Sequence, residues 1–251
     1  MTSGLAIDAR GLVRRYADRT VIDHVSLAIS AGESVSLMGT SGCGKTTLLH
    51  ILGTLDRADE GQLLIGGQDP TALGERKRAR LRRETLGFVF QQSNLLPSLS
   101  ALENVALPAW RVSGRRAEAM DRAAALLSRF GLAARAHAKA HILSLGEAQR
   151  VAVARALINN PRVVLADEPS GSLDSGSTDA VLDALTEVCR LGAALLVVTH
   201  DLQVAARCAR RLVMRDGRLL QSEAVVTPAR AHVPPPASAI DADSGLRRKS
   251  R

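Results

Sequence analysis

A glycine-rich stretch with one lysine and two threonines, GTSGCGKTT, occupies positions 39–47. It fits the phosphate-loop pattern G-x-x-x-x-G-K-[ST] and lies between an apolar stretch, SVSLM, and a helical pattern, KTTLLHIL. Glycines let backbone N–H groups turn toward a phosphate, and the following helix N-terminus adds positive potential. Lys45 is expected to bridge the β- and γ-phosphates of a nucleotide, and the hydroxyl of Thr46 to reach Mg²⁺. The predicted phosphate-binding residues are Gly39, Thr40, Ser41, Gly42, Cys43, Gly44, Lys45, Thr46 and Thr47.

Two acidic residues and one histidine follow apolar stretches further along the chain. Asp167 and Glu168 end RVVLADE, and His200 ends ALLVVTH. Acidic strand ends and single histidines are common structural features, but beside a phosphate loop they fit phosphate hydrolysis. We expect Asp167 to hold Mg²⁺ through water, Glu168 to accept a proton from an attacking water, and His200 to contact the γ-phosphate.

A helix entrance at Ser144 is a second candidate anion site. In HILSLGEAQRVAVARAL, Ser144 can cap the helix and Glu147, three residues later, completes a capping box. Free N–H groups at a helix start attract anions. We predict an anion site at Ser144, Gly146 and Glu147, and the same chain has no obvious use for it. The bulky Leu145 lies between Ser144 and Gly146 in this site.

Strand and helix patterns alternate around these residues, which predicts a mainly parallel α/β sheet. Buried strands are predicted at ESVSLMG, LGFVFQ, RVVLADE and ALLVVTH. Helices are predicted at 45–52, 115–130, 146–159 and 177–190. Two β patterns, LAIDARGLVRRY and TVIDHVSLAI, begin the chain, and RRLVMRDGRLLQ predicts a hairpin turning at Asp216 and Gly217. The mostly helical section from about 93 to 145 is a candidate subdomain.

Composition limits the class of protein. The 251 residues suffice for one large α/β domain or two small ones, and 46% of them are hydrophobic. Three cysteines without paired spacing indicate a reducing compartment and no disulfide framework. No secretory signal is recognisable, and no stretch reaches the 18 apolar residues of a membrane span. We therefore expect a cytoplasmic chain that can still dock on a membrane protein.

The net charge of +8 permits nucleic acid or an anionic membrane as a partner, although aromatic residues, at 2%, are too few to favour base stacking. Part of the charge lies in residues 226–251, which we predict to be a disordered basic tail containing HVPPPASA. A second cluster, ERKRARLRRE at 75–84, is expected to be a solvated helix face, with docking to a partner or to lipid headgroups as the alternative.

Taken in order, these motifs resemble the ATPase subunit of an ABC (ATP-binding cassette) transporter over residues 5–222. The resemblance implies an α/β P-loop NTPase fold with a RecA-like core, an N-terminal antiparallel β-subdomain and an α-helical subdomain, within an ATPase domain at 1–225. The matching motifs are Tyr16, the Walker A loop at 39–47, Gln91 in FVFQ, the signature LSLGEAQR, the Walker B strand VVLADE, the D-loop SLD at 172–174, and the switch histidine His200.

The resemblance also implies roles for residues that the motifs alone leave unassigned. Tyr16 would stack on adenine, Gln91 would bind Mg²⁺ and sense a partner, and Asp174 would couple two nucleotide sites. The family works as a sandwich dimer in which the signature helix of one subunit closes ATP on the other. ATP and Mg²⁺ are therefore the implied ligands, and a second cassette and an integral membrane permease the implied partners, with no nucleic acid expected.

Two longer stretches, FVFQQSNLLPSLSALENVALPA and LADEPSGSLDS, are similar to the lipoprotein-release and macrolide-export type of cassette. This implies an ATPase on the inner face of the cell membrane that powers export or release of a substrate by a separate permease. Two alternatives are a soluble ABC ATPase of DNA repair or translation and, because of Leu145, a weakly hydrolysing regulatory cassette.

The resemblance leaves two local questions. NLLPSL, with Trp110 nearby, either receives the permease or packs the helical subdomain. The family usually has glycine where Leu145 stands. Its side chain either displaces one charge-assisted hydrogen bond to the partner's phosphate, at about 1.5–3 kcal/mol, or turns away and packs. We favour the second because Ser144, Gly146 and Glu147 are present.

Overall fold

The structure is a computed structural model that describes residues 4–171 and 173–224, without the side chains of 221–224. The described strands are β1 (Leu5–Tyr16), β2 (Arg19–Ser30), β3 (Ser34–Gly39), β4 (Glu60–Ile65), β5 (Leu86–Val89), β6 (Val163–Asp167), β7 (Ala194–Val198), β8 (Arg210–Arg215) and β9 (Arg218–Ala224). The described α-helices are α1 (Lys45–Leu52), α2 (Glu75–Thr85), α3 (Ala101–Ser113), α4 (Arg116–Arg129), α5 (Leu145–Leu157), α6 (Ser175–Arg190) and α7 (Leu202–Ala206). Among these helices, none has the length and apolarity needed to cross a bilayer.

Two sheets form the framework of the described chain. The larger has the order β5-β6-β7-β3-β8-β9 and is parallel except for the β8–β9 hairpin. The smaller is antiparallel, with the order β2-β1-β4. The predicted parallel sheet, the N-terminal antiparallel strands and the hairpin are all confirmed. Asp216 and Gly217 both have positive φ, as a two-residue hairpin turn requires.

Both faces of the parallel sheet are buried at its centre, which explains why β6 and β7 are almost entirely apolar. Along β6, Val164 and Ala166 pack in a core with the helices α4, α5 and α6, whereas Val163 and Leu165 pack on the other face with α1 and the small sheet. Because β3, β6 and β7 run parallel, their carboxyl ends lie at the same edge of the sheet. The residues that follow these three strands are therefore brought together there.

Some elements differ from the sequence prediction. Strand β4 and helix α7 were not predicted, because EGQLLI is short and half exposed and α7 is a single short turn. The basic stretch 75–84 forms α2, but its face is not wholly solvated, since Arg78 and Leu81 are buried. The tail predicted at 226–251 lies outside the described residues.

The section from 93 to 145 contains α3 and α4, which pack against each other, and two short 3₁₀ turns. Of the two alternatives for NLLPSL, packing is confirmed for one residue, and the permease contact stays a prediction. Leu95 packs against the core, whereas Leu96 and Trp110 are 46% and 40% exposed.

Candidate functional site

The phosphate loop connects the end of β3 to the start of α1, as the motif predicts. Two of its glycines are required because the backbone of another strand passes too close to leave room for a Cβ. A Cβ on Gly39, with φ of 157°, would stand 2.3 Å from the carbonyl oxygen of Met214. A Cβ on Gly44, with φ of 108°, would stand 2.7 Å from the carbonyl oxygen of Val21. The loop is thus held between β8 and β2, and Lys45 Nζ donates to the carbonyl oxygens of Gly39 and Thr40 at 2.8 and 2.9 Å.

A cleft of about 650 Å³ opens over this loop and brings most of the predicted residues together. Cys43 is the one loop residue that does not line it, because its side chain is buried beneath the loop. Sequence reasoning missed Val21 and Val198, since their apolar side chains carry no chemical signal. The cleft is lined by Val21, Gly39, Thr40, Ser41, Gly42, Gly44, Lys45, Thr46, Thr47, Asp167, Glu168, Val198 and His200.

Asp167 and Thr46 meet in the cleft as a candidate metal site. The carboxylate of Asp167 accepts a hydrogen bond from the Thr46 side chain, while burial, and then the charge of Glu168, raises the pKa of Asp167 above its ordinary value. A bound cation would offset that burial. No group of three or more His, Cys, Asp or Glu side chains suited to a metal occurs in the described part of the chain. A metal here would rest on one hydroxyl, one carboxylate and phosphate oxygens, which suits Mg²⁺.

Gln91 stands apart from these two residues. Its side-chain amide lies beside Gly171, 3.1 Å from where a Cβ on that glycine would be, in the turn that follows Glu168. The residue before Gln91, Phe90, is held by the buried Gln149, whose Nε2 donates to the Phe90 carbonyl oxygen at 2.7 Å. Sequence reasoning missed Gln149. Gln91 is thereby positioned between α5 and the end of β6.

Glu168 and His200 form a hydrogen-bonded pair at the edge of the cleft. Glu168 Oε1 lies 2.8 Å from His200 Nδ1, and Thr199 Oγ1 donates to Glu168 Oε2 at 3.3 Å. Glu168 has a φ of 46°, a conformation that non-glycine residues rarely adopt. Its backbone N–H donates to the Val198 carbonyl at 2.9 Å, which ties it to β7. The hydrogen bonds therefore hold the Glu168 backbone in this rarely adopted conformation, and this places its carboxylate in the cleft.

The capping box predicted at Ser144 is confirmed. Ser144 Oγ accepts from the Glu147 N–H at 3.2 Å, and the Ser144 N–H donates to Glu147 Oε2 at 2.9 Å. That N–H, together with Arg135, lowers the pKa of Glu147. Gly146 permits α5 to approach α6, because a Cβ on it would be 2.7 Å from the Ser177 side chain. None of these residues lines the cleft of the same chain.

The expectation that the Leu145 side chain packs is wrong within this chain. Leu145 is 67% exposed, and Ile142, just before the cap, is 63% exposed. As the first residue of α5, Leu145 has no earlier helical turn to pack against. Two apolar side chains therefore project beside the Ser144 helix end.

Tyr16 and Asp174 lie outside the cleft. The Tyr16 hydroxyl donates to Asp56, and the Arg14 guanidinium lies 4.6 Å from the centre of the Tyr16 ring. Asp174 caps α6 by accepting from the Ser177 N–H at 2.9 Å. Both residues are held by contacts with side chains or backbone that do not line the cleft.

Comparisons with known proteins decide the family. The sequence model described as ABC transporter matches residues 22–171. This chain belongs to the ABC transporter family. It is 50% identical over 216 residues to the lipoprotein-releasing system ATP-binding protein LolD of Porphyromonas gingivalis, which covers 86% of this chain and 99% of that protein.

Solved ABC cassettes have the same fold. The dimeric cassette MJ0796 bound to ADP and Pi superposes with a TM-score of 0.78 at 37% identity, covering 87% of this chain and 98% of that one. CbiO1 of Clostridium perfringens, part of an ABC transporter complex, gives 0.81 at 26% identity, covering 88% and 89%. The chain is thus an ABC transporter cassette that binds and hydrolyses ATP and powers a membrane permease. The similar cassette MJ0796 is dimeric. The DNA-repair, translation and regulatory alternatives are not favoured.

Proposed function

We propose that Glu168 is the general base of ATP hydrolysis in this cassette and that His200 orients it and contacts the γ-phosphate. The observation that carries this proposal is the 2.8 Å contact between the two side chains at the rim of the phosphate-loop cleft. A carboxylate held in this way can accept a proton from a water that attacks the terminal phosphate. Lys45 would meet the charge that develops on the transferred group.

We further propose that Thr46 and Asp167 hold Mg²⁺ on the nucleotide, and that Gln91, which lies beside Gly171 and does not line the cleft, joins them when the nucleotide binds. The metal, when bound, would neutralise phosphate charge. Adenine would stack on Tyr16, and the phosphates would bind the N–H groups of residues 39–47. Ser144, Gly146 and Glu147 would close the nucleotide of the second cassette, and Asp174 would couple the two sites.

Replacing Glu168 by glutamine tests the assignment of the base. Glu168→Gln keeps the size and hydrogen-bonding capacity of the side chain but cannot accept the proton, so we expect hydrolysis to fall about 10²–10⁴-fold. ATP binding should persist and trap a closed dimer, measured by single-turnover hydrolysis and size-exclusion chromatography with ATP. Glu84→Gln, on the surface of α2, is the control. Undiminished turnover in Glu168→Gln would remove Glu168 from this role.

The substrate class is the second part of the proposal. The 50% identity to LolD over nearly the whole of that protein supports a cassette that powers release of lipoproteins at the cell envelope. The cassette would then lie at the cytoplasmic face of the membrane, attached through its permease. In this proposal the ATPase domain spans 1–225, its helical subdomain lies at about 93–145, and residues 226–251 form a basic tail.

A reconstitution tests the substrate class separately from the chemistry. The cassette and its permease are placed in proteoliposomes that contain a fluorescent lipoprotein. We expect ATP to drive release of the acylated protein and the acylated protein to stimulate ATPase activity. The same protein without its acyl chains should leave ATPase activity unstimulated. Equal stimulation by both forms would argue against lipoprotein release while leaving the ATPase assignment in place.

A further inference from the structure

Thr199 is a fully buried polar residue at the end of β7, next to the nucleotide cleft but not in its wall. It is 0% exposed, and its two neighbours in the chain, Val198 and His200, both line the cleft. A buried hydroxyl is costly unless it is hydrogen-bonded. The bonds that the Thr199 hydroxyl makes therefore show what this residue is for.

The Thr199 hydroxyl directs its proton to Glu168. Thr199 Oγ1 accepts a hydrogen bond from the Asp201 N–H at 3.0 Å, and it donates to Glu168 Oε2 at 3.3 Å. A hydroxyl has a single proton to donate, and one without exposed surface does not share that proton with bulk water. The bond from Asp201 thus leaves the proton for the carboxylate, and it also closes the turn that contains His200.

The two oxygens of the Glu168 carboxylate have different partners. His200 Nδ1 lies 2.8 Å from Oε1, and Thr199 Oγ1 donates to Oε2. A carboxylate held at one oxygen can still swing about that contact, whereas contacts at both oxygens fix the direction of its plane. Each oxygen keeps acceptor capacity for a further proton donor such as water.

The backbone of Thr199 is fixed relative to the phosphate loop. Its N–H donates at 3.1 Å to the carbonyl oxygen of Leu37, on the strand β3 that leads into that loop. The side chain of Thr199 reaches Glu168, whose own N–H donates to the Val198 carbonyl oxygen at 2.9 Å. Thr199 therefore connects the strand before the phosphate loop to the carboxylate at the opposite wall of the cleft.

We propose that Thr199 is a positioning residue for ATP hydrolysis, whose hydroxyl holds the Glu168 carboxylate in the orientation that receives a proton from the attacking water. This inference rests on the role of Glu168 as general base proposed above. Thr199 acts through Glu168 and does not line the cleft, so it affects the chemical step and not the binding of ATP.

The first experiment compares ATP hydrolysis by variants of the full-length cassette. Thr199→Val keeps the side-chain shape and removes the hydroxyl, so kcat should fall about tenfold, as expected for one lost hydrogen bond to a charged group, with KM unchanged. Thr199→Ser should restore kcat. Thr186→Val is the matched control, because its hydroxyl donates to the Leu182 carbonyl oxygen within α6, outside the cleft.

The stoichiometry of ATP binding counts the folded molecules in each preparation. If Thr199→Val does not fold, Thr199→Ala removes the same hydroxyl and takes its place. Wild-type kcat in the variant without the hydroxyl, or a kcat of Thr199→Ser as low as that of Thr199→Val, would overturn the positioning role while leaving Glu168 as the base.

A second experiment places Thr199→Val in the Glu168→Gln background and measures single-turnover hydrolysis. Because Thr199 acts through Glu168, the second substitution should slow the reaction by less than about twofold more. A further tenfold loss in that background would show that Thr199 acts independently of Glu168, which contradicts the proposal. Undiminished hydrolysis in Glu168→Gln alone would instead remove the base assignment, and the role of Thr199 with it.

Discussion

At the scale of single residues, the helix end at Ser144 presents an exposed leucine within its capping box. Ser144 and Glu147 form the capping box, and Gly146 allows the contact with Ser177. Leu145 keeps its backbone N–H but directs an exposed apolar side chain away from the chain. We expect this side chain to face a second subunit if the chain pairs as the dimeric cassette MJ0796 does.

Replacing Leu145 by glycine should therefore tighten the ATP-bound dimer. If the leucine side chain displaces one charge-assisted hydrogen bond to phosphate, about 1.5–3 kcal/mol is recovered for each such bond, which is about 10- to 150-fold in dimer affinity. Sedimentation of the Glu168→Gln background with ATP gives this affinity directly. Leu145→Ala separates loss of the side chain from the added backbone freedom of glycine. Weaker dimers in both variants would mean instead that Leu145 packs on its partner.

At the scale of elements, helix α5 depends on an ionised Glu147. Its carboxylate accepts from the Ser144 N–H and from Arg135 Nε at 2.9 Å, and these contacts hold its pKa below the ordinary value of 4.5. A carboxyl group with a lowered pKa in the folded state stabilises the protein above its unfolded pKa. That stabilisation is lost as the pH falls through the folded pKa.

Glu147→Gln should consequently lower the free energy of unfolding by about 1 kcal/mol near neutral pH, since capping interactions have about this magnitude. The difference from the wild type should shrink as the pH falls from 4.5, where the carboxyl of the unfolded chain binds a proton, through the lower pKa of the folded chain, where the wild-type carboxylate is protonated as well. Urea unfolding over a pH series measures this. Glu84→Gln, whose carboxylate only pairs with Arg80 on the surface of α2, should show a small difference. A pH-independent difference in Glu147→Gln would contradict the argument.

At the scale of the whole molecule, the helical section from 93 to 145 exposes apolar side chains that do not line the nucleotide cleft. Leu95 packs inward, while Leu96 and Trp110 remain exposed, with Arg116 stacked 5.6 Å from the Trp110 ring. Since the cassette powers a membrane permease, an exposed apolar surface on the helical section is a suitable contact for it.

Leu96→Asp should weaken binding of the cassette to its permease by at least about tenfold, because a carboxylate would be desolvated in that contact. ATP hydrolysis by the isolated cassette should stay unchanged, since Leu96 does not line the cleft. Co-purification and permease-stimulated ATPase activity measure the two effects. Leu191→Asp, at a leucine of similar exposure beyond α6, is the matched control. Equal permease binding by both variants would place the contact elsewhere.

The sequence by itself determined those features that depend on local pattern. The glycine spacing at 39–47, the capping residues at Ser144 and the Asp216–Gly217 turn each reflect a backbone geometry that few other residues allow. Apolar runs of strand length likewise identified the parallel strands, because both faces of that sheet are buried. Hence the fold and most of the cleft could be predicted before any coordinates.

Tertiary structure alone decided what depends on residues far apart in the chain. Val21 enters the cleft from β2, and Arg78 is buried within an otherwise charged stretch. The exposure of Leu145 likewise depends on which elements surround the start of α5. Burial is set by how elements pack, and sequence spacing carries little information about it.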